Sequence, residues 1–553
     1  MPYLDGKLVT GSSTPAYLFI SFGSLLQYVP ENPPTLRRKP RKINVFAEII
    51  IPVLWKINNF LQEIFFFQKA AGSIAFIPRM CYNGSAFPPQ KNGLGKHCDE
   101  RLAQKENSMK SKIAPGTSER LPWQILLFSL PLMASNVLQV LFNMADIAVI
   151  GRFAGSLSMA AVGSTATAVT LFTGILIGVG GGINALVARY YGARDRQELQ
   201  RTVHSSAIIC LICGILLLIF GFFGSQPLLR LLNTKPELLD KATLYMQIYF
   251  CGMPALALYN FGNAVYSAIG NTKKPLYYLL FSGIVNVVLN LVFVIVCDLD
   301  VAGVALASII SQYLSAIFLT AALFRNRETY GLSPKLLRLH RKNCREILTL
   351  GIPSGLQNAI FYIANMFIQA GVNSFDTVMV AGNSAAANAD GLVYDVMAAF
   401  YTACSSFIGL NYGAGRRREI RRSYLICLGY SFGVGAILGF SLVAFGPTFL
   451  TLFTTDAAVI EAGMKRLTIM GFSYCVSAFM DNAIAGCRGL GKSLVPMIIV
   501  ISGSCIFRII WVLTVFAWFK TIPSLYLVYI FSWSITAAFE NWYFFRCYRK
   551  LPA

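Results

Sequence analysis

Asp146 is the residue whose type and setting most plainly call for chemistry. It closes the segment Gln139-Val-Leu-Phe-Asn143-Met-Ala-Asp146, where Gln139, Asn143 and Asp146 recur at i, i+4 and i+7 and share one helical face. The apolar stretch around it holds no Lys or Arg, the nearest being Arg152 in the following turn. A carboxylate in such surroundings must pair with a cation or take a proton; the bland alternative is a solvated cap at the end of the stretch. A later stretch offers Asn286-Val-Val-Leu-Asn290, two carboxamides on one face, and the next offers Ser308 and Ser311-Gln312. A carboxylate, two carboxamides and a hydroxyl are oxygen ligands suited to a small hard cation. Hydrogen-bond glue between helices accounts for the Asn and Ser residues equally well.

Further along lie Asp390, Asp395 and Asp481, with Asn358 and Asn365. Asp390 and Asp395 stand about 140° apart around a helix, so they cannot share one site. Either is a candidate to bind a cationic substrate or carry a proton, as is Asp481, and Gln139 and Asn143 are candidate substrate contacts. Phe361, Tyr362, Phe400 and Tyr401 could line a cavity for flat organic cations, or simply pack against core.

The elements that must position these groups are set by composition. Hydrophobic residues make up 55% of the chain and charged residues 13%, against about 25% charge in an ordinary soluble domain; mean hydropathy is +0.58. Such a chain sheds its apolar surface into lipid. The net charge of +22 comes mainly from short Lys and Arg clusters between apolar runs, the pattern that orients membrane proteins, and a nucleic-acid partner is not expected. The 13 cysteines are scattered. Cys210-Leu-Ile-Cys213 falls mid-stretch with no second pair and no histidine nearby, which reads as packed free thiols rather than a structural metal site. Three histidines, His97, His204 and His340, leave little for a histidine-based catalytic centre, and no enzyme is expected.

From Leu121 onward twelve apolar stretches reach the roughly 20 residues that cross a bilayer: 121–147, 159–187, 203–224, 243–266, 275–297, 301–323, 346–373, 385–410, 424–450, 464–486, 495–518 and 524–545. The loops after even-numbered stretches are basic, as in Arg194 and Arg196, Lys273 and Lys274, or Arg416-Arg417-Arg418, whereas the others are poorer, as in Asp298-Leu-Asp300. The expected placement is therefore multi-pass in the plasma (inner) membrane with both termini cytoplasmic. Residues 119–324 form an expected N-lobe, 325–345 a cytoplasmic linker and 346–553 a C-lobe, and the chain is expected to act as a monomer. Residues 1–118 do not fit the pattern. They read as a disordered extension or, with Met109 as the true start, an upstream mis-extension over 1–108; the alternative is an accessory segment at the membrane surface.

The chain repeats itself. Tyr191-Gly192-Ala193 is answered by Tyr412-Gly413-Ala414, Pro131 and Asn143-Met144 by Pro353 and Asn365-Met366, and Gly270 and Pro275 by Gly491 and Pro496. The offset is 221 or 222 residues. Six stretches per copy is an even number, so both copies start on one side of the membrane. They form parallel repeats, as in transporters that rock two bundles about a central cavity.

These segments, with Ala185-Leu-Val-Ala-Arg-Tyr-Tyr-Gly-Ala193, Ala268-Ile-Gly-Asn-Thr-Lys-Lys-Pro275, Phe407-Ile-Gly-Leu-Asn-Tyr-Gly-Ala414 and Arg488-Gly-Leu-Gly-Lys492, make the chain resemble the multidrug and toxic compound extrusion (MATE) transporters over Leu121–Lys550. The resemblance implies an all-α integral membrane protein whose twelve transmembrane helices form two six-helix lobes in a V. It also implies export of small organic cations by antiport with Na⁺ or H⁺, with no other cofactor. Position by position, the prokaryotic family's N-lobe cation site falls on Asp146, Asn286, Asn290 and Ser308, where Na⁺ would bind transiently. Asn290 stands where a second Asp is typical, leaving one carboxylate. Phe361 stands where the NorM-like branch has Glu, and Leu410 replaces the Gln usual before the second Asn-x-Gly-Ala, which places the chain nearer the DinF-like side. The runner-up is a flippase of lipid-linked oligosaccharides or peptidoglycan precursors on the same fold. Its anionic headgroups call for basic residues within the spans, of which Arg508 is the one expected.

Overall fold

The computed structural model describes residues 120–552 apart from Arg327 and Leu452. The expectations for residues 1–118, including the start at Met109, lie outside the described residues. Among these the secondary structure is helical, without strands. The first half runs α1 (Leu121–Phe153), α2 (Ser156–Gly192), α3 (Arg196–Leu231), α4 (Pro236–Phe250), α5 (Met253–Ala268), α6 (Lys273–Val296) and α7 (Asp300–Phe324). The second runs α8 (Arg341–Val372), α9 (Thr377–Gly413), α10 (Arg417–Leu450), α11 (Ala457–Gly489), α12 (Leu494–Phe519) and α13 (Ile522–Arg549). Ten of these are long and apolar enough to cross a membrane. The fourth expected stretch is two shorter helices, α4 and α5, parted at Cys251-Gly252 with Pro254 opening the second. The tenth, α11, is full length but carries Glu461, Lys465, Arg466, Asp481 and Arg488. The helix of the seventh stretch begins at Arg341 rather than at 346.

Local chemistry explains where helices start. Asp195, Asp376 and Asp456 cap α3, α9 and α11 by accepting from the backbone N–H of Glu198, Met379 and Ala458, and Thr521 with Ser524 forms a capping box on α13. The duplication extends to the backbone. Arg194 and Gly415 both have positive φ (56° and 69°), as do Gly270 and Gly491 (88° and 77°) and Asp298 and Lys520 (56° and 48°), each pair at the repeat offset.

Each half also lends part of its first helix to the other. Leu121, Ile125, Phe128 and Leu132 of α1 sit in the core of the second half, while Val149 and Ile150 of the same helix belong to the first. Conversely, Ile347 and Leu350 of α8 sit in the core of the first half, and Ile368 and Val372 in that of the second. Pro131 and Pro353, the helix-interior prolines of α1 and α8, mark the crossing points, where a missing backbone hydrogen bond lets a helix bend.

Glycine sets how closely the lobes approach. A Cβ on Gly178 or Gly182 of α2 would strike the backbone of α8 at Ser354-Gly355 or Leu350-Gly351. Where the repeated Tyr-Gly-Ala motifs meet, Gly192 faces the backbone of Leu410 and Gly413 that of Arg189, and Leu410 is itself the repeat equivalent of Arg189. Asn358 donates to Gly174 O at 3.1 Å, Asn136 to Asp395 O at 2.8 Å and Ser406 to Asn184 Oδ1 at 2.9 Å. Apart from the mid-helix contacts of Asn136, Gly174 and Asn358, these meetings lie in the halves of α1, α2, α8 and α9 nearest the basic loops. Away from them Ala166 and Thr167 on α2 and Met366 and Phe367 on α8 are exposed, and the lobes diverge into a V.

The linker is held against α3. The Ser333 N–H donates to His204 Nε2 at 2.9 Å, while His204 Nδ1 lies 2.7 Å from Gln200 O, which fixes Nδ1 as the protonated nitrogen. The Glu198 carboxylate accepts from Lys342 and Asn343, each at 3.1 Å.

The glycine contacts generate a direct prediction. Gly178→Val has no room for its side chain against Ser354-Gly355, so it should force α2 and α8 apart. We expect a melting temperature several degrees lower, as for overpacking of about 1–3 kcal/mol, and greater solvent access to a thiol introduced at Ser354, read by maleimide labelling.

Candidate cation site and its counterpart

Gly283 on α6 brings α1 close, because the Phe142 ring occupies the space a side chain there would fill. One turn beyond Phe142 is Asp146, and one to two turns beyond Gly283 are Asn286 and Asn290, so this contact sets the two helices in register. The polar groups then meet. Asn290 Nδ2 donates to Asp146 Oδ1, and Ser308 Oγ on α7 donates to Asp146 Oδ2 at 3.0 Å. Asn290 Nδ2 lies 3.4 Å from Asn286 Oδ1, and Asn286 Nδ2 donates to Ser308 Oγ at 3.5 Å. Asn286, Asn290 and Ser308 are buried and Asp146 is half-buried. Its hydrogen-bond partners Asn290 and Ser308 are neutral, and among the described residues no Lys or Arg forms an ion pair with it. Asn290 Oδ1 is buried with no donor. Four residues on three helices thus enclose a carboxylate and a spare amide oxygen, a set able to take a proton or a small hard cation.

Gln139 and Asn143 do not join this cluster. Both are exposed, and they prolong the α1 face of Asn136, whose amide reaches the other lobe. The face they share with Asp146 in the sequence splits in three dimensions: Asp146 turns toward α6 and α7, and the two amides toward the cleft.

In the C-lobe, Asp390 is not available for substrate or proton. Its carboxylate is bound by the Arg466 guanidinium (Nε at 2.8 Å) and by the Tyr474 hydroxyl. Arg466 also reaches Asn383, which accepts from the Tyr526 hydroxyl at 2.7 Å. This corrects the expectation for Asp390, and also the expectation that the spans hold almost no basic residue beyond Arg508. The first follows from an ion pair whose members lie 76 residues apart and meet only across α9 and α11; the second was open to the sequence, since Arg466 falls within the stretch 464–486. Asp395 is half-buried, with its carbonyl taken by Asn136. Asp481 Oδ2 is buried without a partner, and so are both carboxylate oxygens of Glu540, which is wholly buried on α13. Arg466 and Glu540 carry the same signal that marks Asp146, an ionisable side chain inside an apolar stretch.

A helical membrane protein built twice, with carboxylates buried in its interior, has the architecture of a secondary transporter. The comparisons make this specific. The MatE family model matches residues 131–292 and again 353–514, so the two matched blocks are the two repeats and together exceed half of the chain. The chain belongs to the MatE family, and is a multi-pass membrane transporter rather than an enzyme. It is 27% identical to "Probable multidrug resistance protein YpnP" of Bacillus subtilis over 64% of this chain and 78% of that one. It is 26% identical to the "FAD transporter" of Shewanella oneidensis over 61% and 75%. A solved structure described as the outward-facing conformation of a multidrug resistance MATE family transporter superposes with a TM-score of 0.72 at 22% identity, covering 77% of this chain and 96% of that one.

Three substitutions probe the site's construction. Gly283→Val should displace Phe142 and separate Asp146 from Asn290 without altering any polar group, lowering thermal stability and removing any shift in melting temperature caused by Na⁺. Asn290→Asp sets a second carboxylate against Asp146 and should enlarge the Na⁺-induced thermal shift over that of the unaltered protein. Arg466→Met leaves Asp390 buried without its cation, and the expected loss of about 3–5 kcal/mol should appear as a large fall in melting temperature.

Proposed function

We propose that the chain is a secondary active exporter of small organic cations, driven by antiport with Na⁺ or H⁺ held at Asp146. The observation that carries this reading is the Asp146 carboxylate, enclosed by Asn286, Asn290 and Ser308 with no ion-pair partner among the described residues. Loading with a cation or proton removes an uncompensated charge and changes the relative stability of lobe arrangements, which is the energetic requirement for coupling. One inward elementary charge contributes about 2.3 kcal/mol per 100 mV to extrusion.

Orientation follows from the basic loops. With Arg194, Lys273, Arg416 and Lys492 on the cytoplasmic side of the plasma membrane, both termini are cytoplasmic and the lobes touch at the cytoplasmic side, so the V opens outward. Asp146 then lies in the outer half of α1, where an external ion reaches it before the cleft closes. The flippase alternative gains nothing from Arg466, which is engaged by Asp390.

The test is efflux of a fluorescent organic cation from liposomes containing purified protein, with Na⁺ and H⁺ gradients imposed separately. At least one gradient should drive efflux, and Asp146→Asn should abolish it while eluting as a folded, monodisperse species. Full efflux by Asp146→Asn would defeat the assignment of the coupling site, and the absence of cation transport under either gradient would defeat the function.

A further inference from the structure

Arg508 is a buried permanent charge to which the ion site gives no role. It lies on α12 between two π-helical segments, Ile501–Ile506 and Val512–Phe516, and none of its surface is exposed. Nε donates to Ser532 Oγ at 3.2 Å and Nη1 to Asn365 Oδ1 at 2.7 Å, but Nη2 is buried with no acceptor. Three rings surround the guanidinium, with centroids at 4.6 Å for Phe361 and Tyr529 and 5.8 Å for Trp533. The indole Nε1 of Trp533 is likewise buried with no acceptor. Aromatic faces offset part of the cost of burying the charge, but they leave N–H groups unsatisfied. No carboxylate among the described residues forms an ion pair with Arg508. Two unpartnered donors around an unpaired cation form a cluster that lacks an acceptor.

The duplication gives this cluster a position. Arg508 stands where the N-lobe has Asn286, and Asn365 where it has Asn143, each pair 222 residues apart. The N-lobe presents a carboxylate at this depth and the C-lobe a guanidinium. Between Arg508 and the cleft stand Phe361 and Asn365, both half-buried. They follow Asn358 on one face of α8, and Asn358 reaches across to Gly174 of the other lobe. The guanidinium therefore sits one layer of side chains behind the cleft surface.

We propose that Arg508, with the Trp533 indole N–H, forms an anion subsite of the C-lobe that receives a carboxylate or phosphate group. Two sources share this chemistry: an acidic group on a transported molecule, making zwitterions and organic anions cargo alongside cations, or a free inorganic anion. The first source rests on the reading that cargo crosses through this cleft.

The experiment uses full-length protein in liposomes and a matched pair of fluorescent amines, one with a free carboxylate and one as its methyl ester, together with inorganic phosphate as the free-anion probe. For cargo binding, Arg508→Gln should raise KM for the carboxylate form by about tenfold or more, the loss expected from one charge-assisted hydrogen bond, and leave KM for the ester unchanged. For a free anion, phosphate should raise the melting temperature of the unaltered protein but not of Arg508→Gln, with no discrimination between the two amines. Trp533→Phe, which keeps the ring and removes one donor, should shift the same readout in the same direction by less, and it serves if Arg508→Gln does not fold. Equal effects on both amines, or none, combined with an unchanged phosphate response, would overturn the subsite and leave Arg508 as a packing element. Failure of the unaltered protein to move the ester would instead count against cation export, while the phosphate measurement still decides the subsite.

Discussion

The hydrogen bonds from Asn290 and Ser308 to Asp146 set the terms for the rest of the molecule. In a bilayer a carboxylate cannot rely on water, and neutral donors orient it without cancelling its charge. A lysine or arginine in their place would have fixed the charge permanently and left nothing to exchange. The Asp390–Arg466 pair in the other lobe shows that alternative: two opposite charges bound to each other, with Tyr474 and Asn383 taking up further hydrogen bonds. On the proposed reading one lobe holds a carboxylate open to exchange, whereas the other ties its carboxylate to an arginine.

For that exchange to matter, the lobes must move against each other while staying packed. The contact at Gly178, Gly182, Gly192 and Gly413 allows close approach of backbones, the arrangement that favours helix association in lipid, where apolar side chains gain little from burial. The crossed first helices complete the coupling. Because α1 begins in the core of one lobe and carries Asp146 in the other, a change at the carboxylate acts on a helix anchored in both. Pro131, between the two environments, is where that helix can bend at least cost.

Duplication supplied two copies of one frame, and substitution put different groups at equivalent places in their interiors. Asn286 and Arg508 occupy equivalent places, as do Asp146 and Ile368. The scaffold residues that survive in both copies, Tyr-Gly-Ala at the lobe contact and the prolines of α1 and α8, are those on which packing depends. At the diverged places, Asn286, Arg508 and Ile368 are buried within the lobes.

Much of this was written in the chain itself. Apolar stretches of bilayer length, basic loops alternating with poor ones, and an offset of 221 or 222 residues dictate a duplicated helical membrane protein, because local hydropathy and periodicity need no tertiary contact to be expressed. The group Asp146, Asn286, Asn290 and Ser308 was legible only as candidates, since hydrogen-bond glue between helices accounts for the Asn and Ser residues equally well, and the family resemblance is what singled out these four. What only the tertiary structure decided was which polar groups meet. Asp390 and Arg466 become a pair only when α9 and α11 pack, Gln139 and Asn143 part from Asp146 only when α1 is rotated against α6, and Arg508 becomes an unpaired cation only when the residues around it offer rings instead of a carboxylate. Charge compensation depends on distances between helices, and sequence spacing fixes distances only within one.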